Sequence, residues 1–72
     1  MKVGDIVMFV DKGIYAKWFF GQLAVVERYT KKGSDGKSHV AVRWLQPVKY
    51  HDGYTGGSNF SADKFEKFDE NR

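Results

Sequence analysis

Seventy-two residues without a cysteine, at a formal net charge of +3, allow one small domain that folds with no disulfide or thiolate–metal support. Aromatic residues make up 17% of the chain (six Phe, four Tyr, two Trp), so rings supply much of the apolar burial and many of them are needed for stability. No apolar run reaches the length of a signal peptide or a membrane span, and a soluble, cytoplasmic protein is expected.

The charge is unevenly spread. Residues 1–45 carry eight Lys/Arg against four Asp/Glu, and residues 46–72 carry four against five. That bias is compatible with an anionic partner.

In chain order, DIVMFVD (5–11) is β-branched and aromatic and predicts a first strand. GIYAKWFFGQ (13–22) then reads as a broad first loop returning into a second strand. Neighbours in an extended segment point to opposite faces, which puts Trp18 and Phe20 inward and leaves Tyr15 and Phe19 outward or across the mouth of the fold. At least two of these four rings are expected to be largely exposed, and clustered exposed rings are a binding signal.

GQLAVVERYT (21–30) predicts the second strand, with Leu23, Val25 and Glu27 alternating against Ala24, Val26 and Arg28. KKGSDGKS (31–38) reads as a hairpin tip. SHVAVRWL (38–45) predicts the third strand, with Val40, Val42 and Trp44 on one face. QPVKYHDGYTGGS (46–58) reads as a long glycine-rich connection, followed by a short fourth strand at Asn59-Phe60. A 3₁₀ turn over 61–64 with Ser61 as its cap leads to a fifth short strand, 65–68. Residues 69–72 read as a polar tail, so the domain spans 1–68. The expected core is Val3, Ile6, Phe9, Phe20, Leu23, Val25, Val40, Val42, Trp44, Phe60 and Phe65.

The pattern VGDIV … GQLAVVERY … HVAVRWL … NFSADKFEKF resembles the Src-homology-3-like barrels, the group of small β modules that includes KOW and Tudor domains. The resemblance covers residues 3–68 and implies an all-β, five-stranded closed barrel with a 3₁₀ turn before the last strand. It also implies that the loops after the first and third strands lie side by side. Tyr50 and Tyr54 would then approach Tyr15, Trp18 and Phe19 in an aromatic groove flanked by Lys17, Lys49 and His51. The family by itself selects no function.

Catalytic parts are missing from the sequence. The two histidines, His39 and His51, have no metal-ligand spacing, and there is no serine elbow, phosphate loop or dinucleotide motif. His51 and Asp52 are adjacent and do not face one another as an acid–base pair. Neither enzyme activity, a cofactor, a metal nor a small-molecule substrate is expected.

Binding remains, in three forms. Placed first is nucleic acid, or a nucleic-acid-handling protein, held by a basic ridge of Arg28, Lys31, Lys32, Lys37 and Arg43 with help from the loop rings. KOW-type barrels often work on RNA, DNA or their machinery, although hairpin lysines also serve solubility and edge protection, and Glu27 and Asp35 dilute the ridge. The close alternative is a protein-binding module, an adaptor or a phage-type inhibitor of a host protein, using Tyr15, Lys17, Trp18, Phe19, Tyr50 and Tyr54. Ser61-Ala62 replaces the Pro and Tyr that proline-rich-peptide binders carry in the 3₁₀ region. A third form is a cage of Tyr15, Trp18, Tyr50 and Tyr54 with Asp52 around a methylated cation. A monomer or weak homodimer is expected.

Overall fold

The computed structural model describes residues 1–33 and 36–68. Asp35 of the hairpin tip and the 69–72 tail lie outside the described residues. Five antiparallel strands form one sheet in the order β4-β3-β2-β1-β5. These are β1 (Ile6–Phe9), β2 (Leu23–Thr30), β3 (His39–Tyr50), β4 (Gly53–Ser61) and β5 (Phe65–Lys67). One helical turn, α1 (Ala16–Phe19), interrupts the β1–β2 connection, and a 3₁₀ turn (Ala62–Lys64) precedes β5. The all-β class, the five strands and the position of the 3₁₀ turn agree with the expectation. Ser61 stands at the cap position of that turn but makes no side-chain cap hydrogen bond.

The sheet does not close: β4 and β5 are its two edges. It curls strongly nonetheless. Four strand spacings separate β4 from β5, about 19 Å in a flat sheet, yet the Phe60 and Phe65 rings lie 6.0 Å apart. Phe9 reaches Phe60 at 5.0 Å and Phe65 at 5.3 Å, and the core fills the concave side.

Val7, Phe9, Phe19, Ala24, Val26, Val40, Val42, Trp44, Val48 and Phe65 are buried. Phe9, Val40, Val42, Trp44 and Phe65 were expected there, and Phe60 is half-buried against them. The other five expected members are not core. Val3 is 64% and Phe20 48% exposed, while Ile6, Leu23 and Val25 lie half-buried on the convex face.

The inward parity of β2 is the reverse of the expected one, and its cause is volume. Ala24 pairs with Trp44 across the β2–β3 ladder. Only a small residue there leaves room for an indole with Phe19 stacked on it; Leu23 or Val25 would overfill the space. A bulge between Val26 and Arg28 then adds Glu27 as an extra residue. It keeps Arg28 on the convex face beside Ala41 and turns Tyr29 toward Val40.

The expected long connection over 46–58 does not exist as a loop. β3 runs on to Tyr50, turns at His51-Asp52 and returns as β4. Pro47 is tolerated within β3 because the ladder shifts between Arg43 and Val48 and leaves Pro47 without a cross-strand partner. Gly57 lies tight against β3: a Cβ there would lie 2.9 Å from the Val42 carbonyl oxygen.

A candidate binding groove

The segment from Gly13 to Gln22 builds one wall of the site. The Trp18 and Phe19 amides both donate to the Tyr15 carbonyl at 3.1 Å, and the Phe20 amide donates to that of Ala16 at 3.0 Å. One helical turn places residues i, i+3 and i+4 on the same side, so Tyr15, Trp18 and Phe19 face inward together. The Gln22 amide then donates to the Phe19 carbonyl at 2.9 Å. With Phe20 at φ −56°, ψ 128° and Gly21 at φ 82°, this is a type II turn, whose third position needs glycine.

That turn swings Phe20 outward and leaves Phe19 2% exposed. The expected orientations of Phe19 and Phe20 are therefore exchanged. The alternation rule fails because the segment is helical rather than extended. Of the four rings only Phe20 is exposed; Tyr15 and Trp18 are half-buried, fewer exposed rings than the sequence suggested.

Phe19 is the hub. It stacks on Trp44 at 4.9 Å with 15° between planes, and lies 5.3 Å from Tyr50 and 5.5 Å from Phe60. Tyr50, at the far end of β3, meets Trp18 at 4.9 Å and Tyr15 at 6.4 Å. His51 also lies 4.9 Å from Trp18, and Lys17 Nζ sits 4.5 Å from the indole centroid. Tyr15, Trp18 and Tyr50 thus pack on one another rather than around a cation-sized space, and Tyr54 stands apart, 73% exposed and paired with Lys49 across the strands.

Between α1 and β4 lies an open groove of about 390 Å³. Tyr15, Phe19, Tyr50 and Phe60 give it aromatic surface, and Thr55, Gly57, Ser58 and Asn59 of β4 give it a polar side. Ser58 is fixed by the Trp44 indole, whose Nε1 donates to its Oγ at 3.1 Å. The β4 residues were missed by sequence reasoning. The available signal was GYTGGSNFS itself, nine residues with no charge and no proline, obscured by its three glycines.

The cationic residues lie elsewhere. Arg28 pairs with Ala41 and Arg43 with Val25, so both arginines lie on the convex face, and Arg43 Nε is held 3.3 Å from Glu27 Oε2. Lys31, Lys32 and Lys37 are exposed around the β2–β3 turn. Lys37 also borders a second depression, of about 410 Å³, with Tyr29, Ser38 and Asp63. This turn adjoins His39, whereas Tyr50, with Trp18 packed on it, is at the other end of β3; Phe60 pairs with Val40 and carries the ring cluster back toward the turn. Arg28, Lys31 and Lys32 therefore share one end of the sheet with Tyr29, which pairs with Val40, while Trp18 packs on Tyr50 and His51 at the other end of β3.

No helix among the described residues is long and apolar enough to cross a membrane. Compared with known proteins, the chain matches no family model, no curated protein and no solved structure.

Proposed function

We propose that this chain is a non-enzymatic binding module of Src-homology-3-like type that takes an extended peptide segment of another protein in the groove between α1 and β4. The observation that carries the reading is the composition of that groove. Half-buried Tyr15 and Tyr50, over buried Phe19, and Phe60 of β4 line it together with the polar Thr55, Ser58 and Asn59 of the same strand, the mixture of apolar surface and a few placed polar groups that ligand sites use. The rings are held by the core through Phe19 and Trp44, so little ordering is left for binding to impose.

Nucleic acid is the second reading, favoured by the exposed Arg28, Lys31 and Lys32 at one end of the sheet. Two features place it behind the first. Of the loop rings, Phe19 is buried and Trp18 packs on Tyr50 and His51 at the opposite end of β3, and Arg43 is already paired with Glu27.

Selection from a library of random peptides of about ten residues, on the wild-type chain and on Tyr15→Ala in parallel, tests the first reading. Peptides enriched on the wild type and lost on a folded Tyr15→Ala variant support it. Enrichment of nothing, together with tight and steeply salt-dependent binding of single-stranded DNA or RNA, would replace it with the second.

A further inference from the structure

The two edges of the sheet are built differently. β5 is three residues long and carries exposed Glu66 and Lys67, features that commonly protect a free edge. β4 is nine residues long, contains no charged residue and no proline, and has β3 as its sole strand partner among the described residues. Main-chain donors and acceptors on its far side are thus presented over a length that most proteins shorten, charge or cover. The groove lies against this same strand, with Thr55, Ser58 and Asn59 on its border.

We propose that β4 is a docking edge: an extended segment of a partner protein pairs with it through main-chain hydrogen bonds and becomes a sixth strand. Every second side chain of that segment then enters the groove beside Tyr15 and Phe19. The proposal rests on the peptide-binding reading above and specifies its geometry. It also specifies charge. Lys17, Lys49 and His51 are exposed at the Tyr50 end of the groove with Asp52 as the one nearby acid of that turn, and the chain carries net +3. The fitting partner is therefore an acidic, proline-free segment with apolar residues at alternate positions. A second copy of this chain would bring the same uncharged strand and the same lysines, with no complementary charge.

The test uses peptides enriched from the random library, resynthesised with backbone N-methyl groups on one alternating set of residues or on the other. Strand addition turns only every second peptide N–H toward β4. One set of N-methyl groups should therefore weaken binding about tenfold or more and the other set little. Asn59→Glu, an exposed change on β4, should weaken binding of the acidic peptide several-fold while the melting curve is kept. Enriched peptides that are proline-rich, or that tolerate both N-methyl sets equally, would overturn strand addition and leave the groove as a peptide site. Absence of any enriched peptide would overturn the peptide reading itself. A concentration-dependent dimer that protects the β4 amides from hydrogen exchange would make a second copy the occupant and overturn the proposal.

Discussion

At the scale of single residues, Phe19 and Phe20 are chemically identical neighbours with opposite roles. Phe19 is buried against Trp44, Phe9, Tyr50 and Phe60; Phe20 is 48% exposed at a type II turn. Phe19→Ala should cost about 3–5 kcal/mol, as truncation of a buried ring does, which leaves a chain of this size little or no folded population. Phe20→Ala should cost less than about 1 kcal/mol. Urea unfolding of the two variants checks this, and similar midpoints would contradict the assignment. The sequence showed that four rings crowd this segment and that glycines bracket it. Which ring goes inward depended on one helical turn too short to leave a periodic signal.

At the scale of elements, the β3–β4 hairpin decides where the groove lies. Gly57 is needed for the close approach of its strands, because a Cβ would press on the Val42 carbonyl. Gly56, one residue earlier, has nothing within 4 Å of its Cβ position. Gly57→Ala should therefore destabilise by about 1–3 kcal/mol, whereas Gly56→Ala should be neutral or stabilise by up to about 1 kcal/mol through the unfolded chain. Thermal melts in parallel read the difference; equal shifts would mean that the strands can part at Gly57 without cost. This hairpin was the least legible element. Pro47 and three glycines mark a loop by ordinary rules, and the irregular register that accommodates them is a property of the paired strands, invisible in either alone. Strands with strict alternation were legible: Val40, Val42 and Trp44 face inward as their spacing implied. In β2 the same rule offered two faces, and the Ala24–Trp44 pairing chose between them.

At the scale of the whole molecule, one curled sheet carries two different surfaces. The ring-lined groove and the open β4 edge lie toward one side of the core, while Arg28, Lys31 and Lys32 gather around the β2–β3 turn. Reversing two of those charges with Lys31→Glu and Lys32→Glu should leave peptide affinity within about threefold and abolish whatever nucleic-acid affinity the chain has, since that affinity scales with the phosphates neutralised. Equilibrium titrations of the double variant would show it. The most direct measurement is amide chemical-shift mapping of the labelled chain, titrated separately with an enriched peptide and with a single-stranded oligonucleotide. Our expectation is that the peptide moves the signals of Tyr15, Phe19, Tyr50 and Thr55 through Phe60, and that the oligonucleotide moves none of these. Shifts confined to Arg28, Lys31, Lys32 and Lys37 with the oligonucleotide, and a groove untouched by any peptide, would contradict the account and make the basic hairpin the functional surface.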